Sequence, residues 1–270
     1  MDNKLNLAEI CKDVRRDIVT MISKAGSGHP GGSLSSVEIM VTLYYKFMHV
    51  DPKNPGDPDR NRFILSKGHV VPVVYSILAR QGFFDMSALG TLRQYGSILQ
   101  GHPHMSSTPG LDCSGGSLGQ GLSVANGLAI AAKKQNKAYR TYCLMGDGEI
   151  QEGQIWEAAM TAAHFGLDNL CGIVDVNGVQ LDGPTKEIMN VEPVADKFRA
   201  FNWNVIEIDG HDLDQVSDAF ESAAKFKGAP SVIVARCVKG KGVSFMENTC
   251  AWHGAAPNAV QLAKALEESR

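Results

Sequence analysis

The spacing of apolar and polar positions divides the chain into two styles. Up to about residue 140, apolar residues recur at helical spacing over 5–24, 35–48, 70–84 and 122–135. A Pro/Asp-rich loop at 50–63 and a long Gly, Ser, Pro and His loop at 101–121 separate these helices. Beyond residue 140, short apolar runs at 140–145, 169–176, 204–209 and 231–238 predict strands. Amphipathic stretches at 154–167, 194–201 and 213–226 lie between them, and a last helix is expected over 259–270. Strand–helix alternation of this kind predicts an α/β fold, a three-layer doubly wound parallel sheet with helices on both faces. No internal repeat, low-complexity tract or linker divides the pattern, so residues 1–270 are expected to form one domain.

Composition narrows the function classes. A formal net charge of −3, without a strongly basic stretch, argues against a nucleic-acid partner. The charged N-terminus has no apolar signal core, and nowhere do about 18 apolar residues run together, so a soluble cytoplasmic protein with no membrane contact is expected. Six cysteines at 11, 113, 143, 171, 237 and 250 form no CxxC pair and read as reduced, mostly buried small hydrophobes.

Chemistry concentrates at two strand ends. Gly146-Asp147-Gly148 follows the run 140–145, and Asn177-Gly178-Val179 follows the run 169–176. Ligands of open α/β sheets sit at such carboxyl ends, and consecutive parallel strands are commonly neighbours. Asp147 and Asn177 can therefore converge. A carboxylate, an amide oxygen and a nearby main-chain carbonyl are too few for a calcium cage but suit Mg²⁺ completed by water and phosphate oxygens. Gly148 allows close backbone approach, and a helix starting near Gln151 would direct free N–H groups at a diphosphate. For Gly-Asp-Gly alone, a strand-end turn whose Asp caps a helix is an equally good reading.

The pairing of "GDG" with Asn177 across a helix and a strand resembles the thiamine diphosphate motif, although Val176 stands where many members have a second asparagine. Four further segments resemble transketolase, in the family's order. They are "KAGSGHPGGSLSSVEIM", "DRNRFILSKGHVVP", "LQGHPHMSSTPGLDCSGGSLGQGLSVANG" and "CAWHGAAPN". The resemblance covers nearly the whole chain. It implies the thiamine diphosphate-binding fold of the family's N-terminal half, without the pyrimidine-binding half. Deoxyxylulose-phosphate synthase is a poorer match to "GSGHPGGSLS" and "GHPHMSSTPG".

The resemblance implies roles residue by residue. Asp147, Asn177 and the Val179 carbonyl would hold Mg²⁺, with Ca²⁺ or Mn²⁺ as possible substitutes. Gly148, Asn177, His69 and His253 would contact the diphosphate, while Gly116, Leu118 and Leu181 would line the cofactor rings. His29, His102 and His253 would surround the reacting carbons of the sugar. Such a set suits ketol transfer, because imidazoles both donate and accept hydrogen bonds and stay near neutrality at pH 7. A single histidine in a Gly-rich loop is more often structural, and His49, His164 and His211, outside any motif, are read that way. His104 stands where the family often has an acidic residue after "GHP".

Glu152 admits two readings: an acid favourable to a helix dipole, or, by resemblance, part of an interface that links two cofactors. Lys239 and Lys241 in "VKGKG" would either attract an anionic cofactor or lie in a mobile solvated loop. The carboxylate that activates the cofactor, and most groups that hold the substrate's phosphate, belong to the family's pyrimidine-binding domain. The chain is therefore expected to work only with a second polypeptide carrying that domain, most simply as an α2β2 heterotetramer acting on sugar phosphates. The alternatives are a split ketol transferase for a branched, deoxy or sulfonated sugar, and a non-catalytic cofactor-binding or scaffold subunit.

Overall fold

The run Leu170–Val176 is apolar apart from one aspartate, and all seven residues are buried, as a strand covered on both faces must be. It is the middle strand, β3, of a five-stranded, all-parallel sheet in this computed structural model, which describes residues 6–269. The other strands are β1 (Arg62–Leu65), β2 (Thr141–Gly146), β4 (Asn204–Asp209) and β5 (Ser231–Arg236), in the order β1-β2-β3-β5-β4. The ten helices among the described residues are α1 (Leu7–Ala25), α2 (Pro30–Ser35), α3 (Val37–Thr42), α4 (Val71–Arg80), α5 (Gly121–Lys134), α6 (Gly153–His164), α7 (Thr185–Ile188), α8 (Val194–Ala200), α9 (Leu213–Lys225) and α10 (Ala259–Glu268).

Side chains of β3 alternate between two cores, as the pleat requires. Cys171 and Ile173 join α1, α3, α4 and α9 on one face, whereas Leu170, Val174 and Val176 join α5, α6 and α8 on the other. Each fully buried Leu, Ile or Val contributes about 1.5–3 kcal/mol of transfer free energy, so both faces are needed. Asp175 follows the same alternation as Cys171 and Ile173, which carries its carboxylate to α2. Among the described residues no helix is long and apolar enough to cross a membrane.

The doubly wound parallel sheet agrees with the sequence pattern, and three details differ. β1 lies at the end of the predicted Pro/Asp-rich loop; it is only four residues long and is held as a strand by pairing with β2. The helix expected over 35–48 is divided at Ser36: α2 begins at Pro30, whose fixed φ suits the first turn, and α3 runs on into a π turn at Leu43–Phe47. The strand at 204–209 lies at the sheet edge, since β5 pairs with both β3 and β4. Residues 5 and 270, the outer ends of the first and last predicted helices, lie outside the described residues.

α1 is capped by the Asn6 side chain, α9 by Asp212 and α10 by a capping box of Asn258 and Gln261. The pairing that positions the site is simple. Gly146 of β2 is level with Asp175 of β3, so the residues that follow leave the sheet side by side.

Candidate active site

Asp147 is the first residue beyond β2, and its carboxylate is fixed by backbone. Oδ1 accepts from the Gly148 N–H at 2.9 Å, and Oδ2 from the Gly178 N–H at 2.6 Å. The second bond joins the two strand-end turns directly. Burial, and after it the charge of Asp175, push the Asp147 carboxyl up to about 6. Asn177 donates through Nδ2 to Asp175 Oδ2 at 3.2 Å and accepts through Oδ1 from the Val179 N–H at 3.2 Å. The Val179 carbonyl accepts from Lys239 Nζ at 2.8 Å. Among the described residues no three His, Cys, Asp or Glu side chains make a metal-sized cluster. The donors gathered here are instead a carboxylate, an amide and a carbonyl, all hard oxygens of the kind Mg²⁺ takes.

A cavity of about 280 Å³ opens above these turns, lined by Asp147, Gly148, His69, Lys239 and His253 among others. Leu118 and Leu181, 38% and 60% exposed, stand on its rim. Gly148 lies on the wall, where an added Cβ would sit 3.1 Å from Gln180 Cβ. The helix expected at Gln151 starts later. Glu149–Gln151 is a single 3₁₀ turn, and α6 begins at Gly153.

Four histidines from four separate segments meet beside this cavity, and two of them, His69 and His253, line it. His29 is the N-cap of α2 and is held by Ser33 Oγ, which donates to its carbonyl at 2.7 Å. Its ring lies 5.2 Å from that of His69, 5.6 Å from His253 and 6.1 Å from His102. His69 and His253 stack at 5.1 Å. The His102 carbonyl accepts from the Tyr75 hydroxyl at 3.3 Å, which fastens the long loop to α4. Gly116, at φ +155°, lies beside the His102 ring, with room for a Cβ at 3.6 Å from the ring but in a backbone conformation that a side chain would strain.

All four rings resist protonation. Burial, then the charge of Arg93, lowers His29 to about 4, and burial with Lys239 lowers His253 to about 4. His69 is pushed well down by burial and Lys67, and His102 is lowered by burial and Arg93. The cluster is therefore one of neutral imidazoles, and His29 Nδ1 is buried without a hydrogen-bond partner. Neutral rings crowded together, with Arg93, Lys67 and Lys239 as the positive charges acting on them, can accept protons from hydroxyl groups and donate to carbonyl oxygens.

Of the two readings left open for Lys239, the structure removes the mobile loop. Lys239 is 2% exposed, its neighbour Gly240 donates to the Gly31 carbonyl at 2.9 Å, and its ammonium lies 2.9 Å from His253 Nδ1. Burial lowers it to about 8. Glu152 is exposed at the start of α6. His49 and His164 are exposed and distant from the cluster, while His211 bridges Glu38 and the Val238 N–H. His104 is exposed, with Nδ1 on Ser107 Oγ at 3.0 Å.

Sequence reasoning missed the support beneath the site. Lys67 Nζ donates to Asp175 Oδ2 and, at 2.8 Å, to Ser36 Oγ, while Ser35 Oγ donates to the same carboxylate oxygen at 2.6 Å. Glu149 accepts from Ser66 Oγ, from the Gly119 N–H at 2.9 Å and from the Gly146 N–H at 3.0 Å, tying the Gly-rich loop to the Gly-Asp-Gly turn. An aspartate inside an otherwise apolar buried strand was a readable signal for the first network, because a buried carboxylate requires a partner.

Residues 7–268 match the family described as "Transketolase, thiamine diphosphate binding domain". The chain belongs to the transketolase family. Among its transketolase relatives, the 6-deoxy-6-sulfo-D-fructose transketolase subunit SqwG of Clostridium sp. (strain MSTE9) is 44% identical over 252 residues, covering 93% of this chain and 92% of the relative. An apulose-4-phosphate transketolase subunit of Phocaeicola vulgatus is 41% identical over 254 residues, covering 94% and 90%. The solved transketolase of Campylobacter jejuni superposes with a TM-score of 0.92 at 35% identity, covering 98% of this chain. The chain spans 43% of that transketolase and 39% of the human one. The fold is thus that of the thiamine diphosphate-binding domain of transketolases.

Proposed function

We propose that this chain is the diphosphate-binding subunit of a two-chain transketolase that moves a two-carbon ketol unit from a ketose to an aldose. The observation that carries this reading is the ring of neutral histidines, 5.1–6.1 Å apart, beside the Asp147 cavity. A cofactor-binding or scaffold subunit would need the cavity but not that ring. Thiamine diphosphate, when bound, supplies the nucleophile and electron sink for breaking a carbon–carbon bond next to a carbonyl.

The donor set fits a magnesium–diphosphate group. The buried Asp147 carboxylate and the half-buried Asn177 and Val179 line the cavity together, and a buried ammonium, Lys239, already bonds the Val179 carbonyl. Asp147, Asn177 and the Val179 carbonyl would hold Mg²⁺, with Gly148, His69, Lys239 and His253 along the diphosphate and Gly116, Leu118 and Leu181 beside the rings. His29 and His102, neutral at pH 7, would orient the sugar, accept a hydroxyl proton as the carbon–carbon bond breaks, and return it to the acceptor. His253, whose Nδ1 faces the Lys239 ammonium, would present Nε2–H to the developing oxyanion.

Relatives named as subunits, over nearly their full length, support a partner that carries the pyrimidine-binding half. We place two copies of each chain in the assembly. Glu152 would lie at the interface between the two copies of this chain, where exposed Val124 and Met160 of α5 and α6 offer apolar contacts. The six free cysteines suit the reducing cytoplasm. An unusual sugar is the second reading for the donor, favoured by relatives named for sulfofructose and apulose 4-phosphate.

The test is a pull-down of the tagged chain from its native cells, with the eluate assayed for ketol transfer from a panel of donors in the presence of thiamine diphosphate and Mg²⁺. A stoichiometric partner with activity is expected, and the preferred donor separates the two sugar readings. Activity of the purified chain alone would refute the two-chain arrangement. A partner complex inactive with every donor would favour a scaffold.

A further inference from the structure

Lys239 and a metal ion have a claim on the same oxygen. The Lys239 ammonium donates to the Val179 carbonyl at 2.8 Å and approaches His253 Nδ1 at 2.9 Å. Its path is fixed from both ends. The side-chain stem runs beside Gly31, where an added Cβ would come within 3.1 Å of Cγ and 3.2 Å of Cε. The main chain is held by Gly240 N–H to the Gly31 carbonyl and by Asn248 N–H to the Lys239 carbonyl, each at 2.9 Å. Asp147 and Asp175 are the negative charges acting on the ammonium, and Lys67 the nearby positive one. Asp175 is already matched by Lys67, whereas Lys239 and Asp147 are opposite charges that both line the cavity without an ion-pair partner among the described residues.

We infer that Lys239 is a placeholder cation, which competes with the metal for the Val179 carbonyl until a diphosphate arrives to take up its charge. The inference rests on the magnesium–diphosphate reading above. An ammonium bonded to one ligand of a dication repels it at short range, where the low local dielectric leaves the repulsion unscreened. A polyanion set between the two cations turns that repulsion into two attractions. Metal and diphosphate should consequently bind with positive coupling, each raising the affinity for the other. Removing the lysine charge should move two affinities in opposite directions. Metal alone should bind more tightly, and the metal–diphosphate complex more weakly. A residue with a merely structural role would not split them in that way.

The experiment uses the full chain with Mn²⁺ as the paramagnetic probe. Free and bound Mn²⁺ are measured by electron paramagnetic resonance without anion, and preformed Mn²⁺–pyrophosphate is titrated by calorimetry. The wild type, Lys239→Met and Asp147→Ala are compared. For Lys239→Met we expect Mn²⁺ alone to bind about tenfold more tightly and Mn²⁺–pyrophosphate about tenfold more weakly, the scale of change beside a metal's direct ligands. Asp147→Ala should abolish both. If Lys239→Met leaves Mn²⁺ binding unchanged or weaker while Asp147→Ala still abolishes it, the placeholder role is refuted and the site reading stands. If Mn²⁺–pyrophosphate binding is indifferent to Asp147→Ala, both are refuted. Lys239→Gln, neutral but still polar, carries the same expectation should the methionine variant fail to fold.

Discussion

The Lys67 ammonium and the Asp175 carboxylate are in contact beneath the cavity floor, with side chains only 3% and 0% exposed. Burial alone would raise the Asp175 carboxyl. The charge and hydrogen bond of Lys67, with bonds from Ser35 and Asn177, outweigh burial and hold it below the usual range. Removing one partner of such a pair leaves an unmatched buried charge, a loss of about 3–5 kcal/mol. Lys67→Met is therefore expected to be severely destabilising in urea denaturation. Lys67→Met combined with Asp175→Asn should recover part of the loss, because neither charge then remains. A double variant as unstable as the sum of the singles would show that the two residues do not act as a pair.

Gly121, the first residue of α5, should tolerate no larger residue. A Cβ there would lie 2.7 Å from Ser66 Cα and overlap the serine side chain. Ser66 Oγ accepts from the Gly121 N–H at 3.1 Å and donates to Glu149. The overlap would disturb the carboxylate that joins the Gly-rich loop to the Gly-Asp-Gly turn. Gly121→Ala is expected to cost about 1–3 kcal/mol as an overpacked site. The cost would be read as a lowered denaturation midpoint with an unchanged slope. Wild-type stability would mean that the loop shifts freely.

Reading the sequence recovered what local pattern determines and missed what distant contacts determine. The sheet was legible because four of its strands are apolar runs bounded by turns. β1 was not, since four residues after a Pro/Asp-rich loop become a strand only through pairing with β2. Asp147 and Asn177 were legible because strand-end turns announce themselves, and the His-containing loops because they resemble a known family. Lys67 and Asp175 lie 108 positions apart, so neither the segment around Lys67 nor the lone aspartate of β3 names the other as its partner. The burial of Lys239 depends on the close approach of Gly31 and Gly240, which a string such as "VKGKG" cannot reveal.

Stability should fall as the chain is acidified. In the unfolded chain each histidine protonates near its ordinary 6.5, whereas folded His29 and His253 wait until about 4, and burial also holds His69 well below its ordinary value. Their contribution is therefore complete above pH 6.5. It is lost progressively as the pH falls from there to about 4, because only the unfolded state takes up the protons. Asp147, raised to about 6, acts in the opposite sense, binding its proton in the folded state first. Glu149, raised by burial, acts in the same sense as Asp147, but these two carboxylates stand against the histidines and the lowered Asp175 and Glu38, which leaves the net trend downward. The melting temperature should drop between pH 6.5 and 4, and His29→Gln with His253→Gln should flatten the curve. A melting temperature that rises over that window in the wild type would contradict the neutral cluster.

His29 and His102 should separate catalysis from cofactor binding. Their ring centroids are 6.1 Å apart, and neither residue lines the cavity beside Asp147, unlike His69 and His253. Under the proposed roles they touch the sugar and not the diphosphate. Replacing either with alanine in the assembled enzyme should lower kcat/KM for ketol transfer by about 10²–10⁴-fold, the range for a positioned acid or base. The apparent Kd for thiamine diphosphate should stay within a few-fold of the wild type. His69→Ala should instead weaken cofactor binding. Steady-state kinetics with saturating cofactor, paired with calorimetric cofactor titrations, give both quantities for each variant. If His29→Ala and His102→Ala together leave the assembled complex fully active, the sugar-facing role is wrong. If they lose cofactor affinity in step with activity, the two histidines belong with the cofactor and the sugar must be held from the partner's side.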